Sequence, residues 1–336
     1  MISEKESRMI YILKAIAIVS VICAHISVVP DHFSKESIMV CAWLSEVGAI
    51  GVGIFFCVSG YLFAYGKDKE KSFVNFLMKK ITTIGIPWII SASLVYFYVA
   101  VRKGGSFLGW LLSVVGYMSS YWFLSVLFAL YLIYYFIRKA KRDTQLAIFM
   151  ALLSIVSVVL RRLGVIRQDS LGVYLNVFNW SIFFSLGYIL SKVDKKRLSK
   201  LLDKKITIVL TVVTAAVILM LPMCDIEKFS YFSYAYIPIE IVIIWTCMGW
   251  AYGLSNKIHA GLLLIGKMSF AIYLYNELVW AGLVANIGNK FDFWMLLLVR
   301  PVIVGGAVIC ELLIGRWIFG LFNKSRVFDA LTGVRL

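Results

Sequence analysis

Charge is scarce in this chain. Asp, Glu, Lys and Arg together make up 15% of the 336 residues, while 61% are hydrophobic. Mean hydropathy is +0.88. A soluble domain has no use for so much apolar surface, so a water-soluble globular protein is excluded and a polytopic membrane protein is expected. Metal-ligand and redox spacings are missing as well. The six cysteines (Cys23, Cys41, Cys57, Cys224, Cys247, Cys310) are scattered, mostly within apolar stretches, and form no CxxC pair. No bound metal is therefore expected, and the thiols should be free and buried. No repeat array, low-complexity linker or extra soluble domain is visible, so residues 1–336 read as a single integral membrane domain. Acidic residues are few, 18 against 34 Lys and Arg, giving a net charge of +16. Nucleic acid does not explain that excess. The cations cluster in short segments between apolar spans, the pattern of topology signals and of contact with anionic lipid. The first apolar stretch, Met9 to Val28, is too long for the core of a cleavable signal peptide and is read as retained.

What is present is a series of apolar segments. Ten spans are expected, at about 9–28, 44–65, 82–101, 120–137, 145–160, 172–191, 206–222, 236–254, 264–285 and 293–322. The fifth and seventh are short. The last exceeds a simple span and should tilt or run past the membrane. The fold class is all-α, a polytopic helix bundle. Lys and Arg number 22 in the N-terminus, the C-terminal tail and every second loop, and 8 in the loops between. That asymmetry puts both termini in the cytoplasm. Two of the basic loops are amphipathic: Lys67 to Lys80, and Val193 to Lys205. Either could lie on the headgroups as an interfacial helix.

Lys14 and His25 lie eleven residues apart in the first span. That is about three turns of helix, so the two share nearly one face, roughly 16 Å apart along the axis. A cation at the centre of a membrane helix costs about 2.5–3.5 kcal/mol on insertion scales, and one near an end snorkels at lower cost. His25 could take a proton from a hydroxyl near neutral pH, or cap a helix end near the headgroups. Lys14 could bind a phosphate or carboxylate, or snorkel. Gly48 to Gly60 reads GAIGVGIFFCVSG. Small residues there permit close helix approach, and Ser59 could also donate a hydrogen bond. Glu46 is either a substrate-binding group or an interfacial carboxylate. Lys79-Lys80, ahead of Pro87-Trp88, could hold the phosphates of a nucleotide-like donor or serve only as topology signals. Trp122-Phe123-Leu124 opens the fourth span, where aromatics normally form an interface belt. Asn276 and Glu277 follow Tyr273 in the ninth span, and Glu240, Arg300, Glu311 and Arg316 are also intramembrane. Polar groups at such depth face the bundle interior and pair.

In this order the residues resemble the acyltransferase-3 family of membrane O-acyltransferases. The family's first span carries an arginine, ten residues and a histidine; here Leu13-Lys14-Ala15-Ile16-Ala17-Ile18 leads to His25. Its G-V-x-x-F-F-x-x-S-G block is matched by Gly51 to Gly60, and its basic pair before I-P by Lys79-Lys80 and Ile86-Pro87. Its W-F-L looks like Trp122-Phe123-Leu124, and its late G-x-x-S-F/Y-x-x-Y-L-x-H like Gly266, Ser269-Phe270, Tyr273-Leu274 and Asn276. Two positions depart from the pattern. Lys14 stands for arginine and lacks its bidentate fork. Asn276 stands for histidine and carries no proton at neutral pH.

The resemblance implies transfer of an acyl group, usually acetyl from acetyl-CoA, to a hydroxyl of an envelope glycan or lipid-linked acceptor at the plasma membrane. Acetyl-CoA is then a donor substrate, and no tightly bound cofactor is implied. His25, Ser59 and Asn276 become the catalytic candidates. Lys14, Lys79 and Lys80 become the donor-binding candidates, and Glu46, Trp122 and Tyr273 the substrate-binding ones. The rival reading is a non-catalytic module of the same fold, a small-molecule transporter or sensor.

Overall fold

A computed structural model describes residues 2–24, 34–36, 48–66, 72–117, 119–167, 169–220, 236–255, 260–287 and 300–334. His25, Glu46, Cys41 and Cys224 lie outside them. All regular structure among the described residues is helical. The helices are α1 (Glu4–Ala24), α2 (Ile50–Tyr65), α3 (Phe73–Lys80), α4 (Ile86–Lys103), α5 (Phe107–Val115), α6 (Trp122–Ile137), α7 (Asp143–Arg162) and α8 (Ser170–Val173). There follow α9 (Val177–Leu190), α10 (Lys195–Leu201), α11 (Lys204–Met220), α12 (Tyr236–Leu254), α13 (Ala260–Ile287), α14 (Gly305–Leu321) and α15 (Ser325–Thr332).

Helix covers each of the ten expected spans at least in part, and six stretches are long and apolar enough to cross a membrane. The helices 50–65, 122–137 and 177–190 are apolar but shorter. Expectation and structure differ in three places. The fifth span is not short: α7 runs 20 residues, from Asp143 to Arg162. The helix from Phe73 to Lys80 is no separate interfacial element, because a π turn at Ile81–Gly85 carries it directly into α4. Pro87 explains the π turn. Its ring clashes with the preceding turn and it offers no N–H, and a widened turn absorbs both. The hydroxyls of Thr82 and Thr83 donate to the Lys79 carbonyl at 3.1 and 2.7 Å. A second π turn, Arg300–Val304, likewise holds a proline, Pro301. Third, Cys310 is exposed on the outer face rather than buried. The basic loop 193–205 does form a short helix, α10, capped by the Asp194 carboxylate on the N–H groups of Lys196 and Arg197.

Lipid tails are as apolar as leucine, so the bundle gains little from burying apolar surface against itself. Tight packing and hydrogen bonds hold it instead. Glycine supplies the tight packing. A Cβ at Gly187 of α9 would lie 1.8 Å from the Cys57 carbonyl of α2, and one at Gly60 would lie 2.0 Å from the Phe184 carbonyl. The two backbones thus meet in a reciprocal small-residue contact. Gly51 brings α2 onto Ala17 of α1, and Gly266 brings α13 onto Tyr11. Helix α1 therefore sits centrally, packed against α2, α12 and α13. Its buried residues, including Met9, Ile12, Leu13, Ala15, Ala17, Ile18 and Val21, cover most of its circumference.

One end of the bundle gathers the segments richest in basic residues. Glu6, 3% exposed, accepts from Ser3, from Tyr61 at 2.9 Å, from Tyr65 at 3.3 Å and from Lys195 at 3.0 Å. Lys5 sits over the Tyr252 ring. Asp143 accepts from Tyr188 and pairs with Lys192. These contacts bring the chain start, the end of α2, the start of α7, the 192–195 segment and the end of α12 to one end. It is the alternation that the basic-residue count implied.

Candidate functional site

Five elements converge on a small cavity of about 90 Å³ within the bundle, one of them the π turn, through Ile84. Helix α1 contributes Lys14, and α2 contributes Phe55, Ser59 and Leu62. Helix α6 adds Phe123, Leu127 and Tyr131, and α13 adds Ser269, Phe270 and Tyr273. Each element presents these residues at helical spacing. Phe55, Ser59 and Leu62 recur every three or four residues along α2, and Ser269 and Tyr273 are four apart on α13. Close packing at Gly51 and Gly266 holds α2 and α13 against α1, so the Lys14 ammonium and the hydroxyls share one space.

The cavity wall is mostly apolar, with an ammonium and hydroxyls set into it. Lys14 is half-buried, with its ammonium 5.9 Å from the Tyr11 ring. The hydroxyls of Ser59 and Ser269 have no hydrogen-bond partner among the described residues. A helical serine usually returns its hydroxyl to a carbonyl one turn back. These two keep theirs available to whatever enters. Ser269 was quoted in the sequence motif but not singled out for a role, and only its position on the cavity reveals one.

Toward the basic end, Tyr131 links the cavity to a cluster of cations and aromatic rings. Lys80 Nζ lies 3.6 Å from the Tyr131 ring centre and 5.8 Å from that of Phe63. The Arg138 guanidinium, 3% exposed, lies 4.7 Å from the Phe63 ring and 5.1 Å from that of Tyr135. Rings hold both cations beside the cavity by cation–π attraction. Lys79, one residue earlier, is exposed at the surface. Arg138 carried no signal in the sequence beyond membership of a basic loop.

At the other end lies a second, larger cavity of about 750 Å³, reached by Trp122, Tyr174, Ser120 and Glu277. The two share a wall. Trp122 lines one and its neighbour Phe123 lines the other. Tyr273, on the first, donates its hydroxyl to the Ser120 carbonyl at 2.5 Å, on the second. Phe123 packs against the Tyr273 ring at 5.5 Å. Trp122 is fixed by Trp180 and Tyr174, at 4.8 and 5.0 Å between ring centres.

Of the residues singled out from sequence, the structure thus brings Lys14, Ser59 and Tyr273 together, with Lys80 adjacent and Trp122 across the partition. Asn276 lines neither cavity. It is 3% exposed, and its amide donates at 2.6 Å to the Tyr273 carbonyl on its own helix. Next to it, Ser91 and Tyr121 both donate to the Leu274 carbonyl, at 2.7 and 2.9 Å. This stretch of α13 is pinned to its neighbours by hydrogen bonds. His25 and Glu46 lie outside the described residues. Arg316 pairs with Asp329 of α15 at 2.8 Å, while Glu311 is exposed. Glu240 is fully buried, with neither carboxyl oxygen hydrogen-bonded among the described residues, and its carboxyl fills the space that a side chain at Gly53 would occupy.

A family model described as an acyltransferase domain matches residues 10–316, nearly the whole chain. No curated protein and no solved structure matches.

Proposed function

The chain belongs to this acyltransferase-3 family and is a multi-pass membrane protein, and from that premise we propose that it moves a short acyl group, acetyl, from acetyl-CoA to a hydroxyl of an envelope glycan or related surface molecule. The observation that carries the reading is the small cavity, where Lys14, Ser59 and Ser269 from three helices meet among apolar side chains. The cavity, at about 90 Å³, is small, and its size suits a short acyl group.

In this reading the basic end of the bundle faces the cytoplasm and the membrane is the plasma membrane. The donor's phosphates lie near Lys79 and Lys80, and its thioester reaches past Tyr131 into the cavity. The acceptor hydroxyl oxygen attacks the thioester carbon. His25, which helix spacing puts roughly 16 Å along the axis from Lys14, receives the hydroxyl proton by relay rather than by direct contact, the carbon–sulfur bond breaks, and a proton passes to the departing CoA thiolate. An ester and free CoA thiol result, with no oxidant or reductant involved. Negative charge develops on the thioester oxygen during attack. A hydroxyl donor and a nearby ammonium in an apolar wall stabilise such charge far better than water does. Ser59, Ser269 and Lys14 supply that set. Asn276, committed to a helix carbonyl, holds α13 in shape and acts on the chemistry only through Tyr273.

Thiol release from acetyl-CoA by protein in liposomes tests the reading. Release is expected with acetyl-CoA and should fall sharply with octanoyl-CoA; equal rates for both would refute a cavity-limited acyl site. The two cavities sharing one wall also favour a second reading, a transporter of small molecules. Uptake of labelled solute into liposomes without any acyl-CoA would support that reading over the first.

A further inference from the structure

The last apolar stretch runs from Val302 to Leu321, and Glu311 is the tenth of its 20 residues. Against the expectation that polar groups at such depth face inward, Glu311 is exposed on the outside of the bundle. Its carboxyl has no hydrogen-bond or ion-pair partner among the described residues. No other span, among the described residues, holds an exposed ionisable side chain near its middle. The outward faces of α7 and α11 present groups such as Leu152, Val156, Val209 and Val212, which suit lipid. A carboxyl is among the costliest groups to set against hydrocarbon. Glu311 lies roughly 14 Å from either end of the stretch, a depth that neither headgroups nor interfacial water reach. The one cation on α14, Arg316, is engaged by Asp329 of α15 at 2.8 Å. A partner for Glu311 therefore has to come from another protein surface within the membrane.

The face around Glu311 identifies that surface. At about 100° per residue, Ile314 lies about 60° to one side of Glu311, and Trp317 about 60° further on. Ile314 is 57% exposed and Trp317 66%. The outward face is thus centred on Ile314, with a carboxyl along one edge and an indole along the other. The Trp317 indole N–H has no acceptor among the described residues. One edge offers an acceptor and the other a donor, which is the complementarity that a symmetric contact requires. A two-fold axis along the membrane normal sets two α14 helices side by side and turns the Glu311 edge of each toward the Trp317 edge of the other. The two residues are offset by roughly 9 Å along the helix. Two long side chains and one hydrogen bond span that offset between helices packed about 8–10 Å apart.

We propose that the outward face of α14 is the interface between two copies of this chain, with Glu311 of each copy accepting a hydrogen bond from the Trp317 indole of the other. Alone in lipid, both polar groups face hydrocarbon. In the dimer each has a partner, and the apolar side chains between them pack against their own copies. Hydrogen bonds and close packing are what associate helices in a bilayer. Cys310 is exposed as well, one turn from Ile314 and about 40° from the centre of the face, so the two thiols meet near the axis. Helix α14 lines neither cavity, and the interface stands or falls apart from the transferase reading.

The test is copper-phenanthroline oxidation of the full chain in liposomes, with dimer formation followed in parallel by fluorescence energy transfer over a range of protein-to-lipid ratios. A disulfide-linked dimer is expected. Cys310→Ser should abolish that link while the energy-transfer signal remains. Glu311→Leu and Trp317→Phe should each weaken the dimer about tenfold, through loss of two hydrogen bonds at about threefold each. The two substitutions together should weaken it little more than either alone, because they break the same bonds. Leucine at 311 and phenylalanine at 317 both suit lipid, and thermal unfolding of each variant in the same lipid checks that the fold is kept. A chain that stays monomeric at every ratio, a dimer that does not cross-link through Cys310, or a dimer indifferent to both Glu311→Leu and Trp317→Phe overturns the proposal.

Discussion

One methyl group separates glycine from alanine, and in this bundle that methyl should have opposite effects at two positions. At Gly187 an added Cβ lies 1.8 Å from the Cys57 carbonyl and 2.8 Å from the Tyr61 backbone nitrogen. Both neighbours are backbone and cannot swing aside. To reach ordinary contact, α9 and α2 have to part by about 1.5 Å, and overpacking of this kind costs about 1–3 kcal/mol. At Gly306 of α14 nothing lies within 4 Å. There the methyl removes a backbone-entropy penalty and should stabilise by up to about 1 kcal/mol. Thermal unfolding of both variants in the same lipid gives the comparison, with Gly187→Ala falling below wild type and Gly306→Ala at or above it. The same displacement moves α2, which carries Ser59 into the cavity. A misplacement near 1 Å costs about 10²-fold in rate when a group positions the reaction, so Gly187→Ala should lose more acyl transfer than its stability loss explains. Equal stability in the two variants would refute the close-approach account of the α2–α9 contact. Full activity in a destabilised Gly187→Ala would refute the positioning of Ser59.

Three further outcomes follow from the geometry. Lys14→Gln should lower acyl transfer by about 10²-fold or more, while Lys14→Arg retains most of it, as measured by thiol release from acetyl-CoA; equal rates in Lys14→Gln and wild type would remove the ammonium from the site. Ser59→Ala and Ser269→Ala should each lower turnover without lowering thermal stability by more than a few tenths of a kcal/mol, since neither hydroxyl holds a partner among the described residues; large destabilisation would show a structural role instead. Glu6→Ala should cost about 1–3 kcal/mol in unfolding, because the Tyr61 hydroxyl and Ser3 lose their acceptor in a buried setting; no change would mean the network at the basic end is replaceable by water.

Much of the architecture was legible in the sequence, because apolar length and the distribution of Lys and Arg are direct physical consequences of a bilayer. The contacts of Glu6, Lys192 and Asp143 at one end agree with the loop alternation read from charge alone. Lys14 and Ser59 were visible too, since a cation and a small hydroxyl residue are conspicuous in apolar helices. Three things were not. The convergence of Lys14, Ser59, Ser269 and Tyr273 depends on how α1, α2 and α13 cross, which spacing along one chain segment does not encode. The commitment of Asn276 to its own helix is a rotamer choice hidden from sequence. The second cavity draws on α4, α5, α6 and α13, so no single motif announces it. Its markers, Trp122 and Glu277, looked like a membrane-interface aromatic and one more intramembrane acid.

The most direct test of acyl transfer in this bundle is acetyl-CoA turnover by the purified protein in lipid, wild type beside His25→Ala at matched expression and stability. The expected result is measurable CoA release by the wild type that is lost in the variant. Full activity in His25→Ala, or wild-type protein that neither turns over nor binds acetyl-CoA, would contradict it.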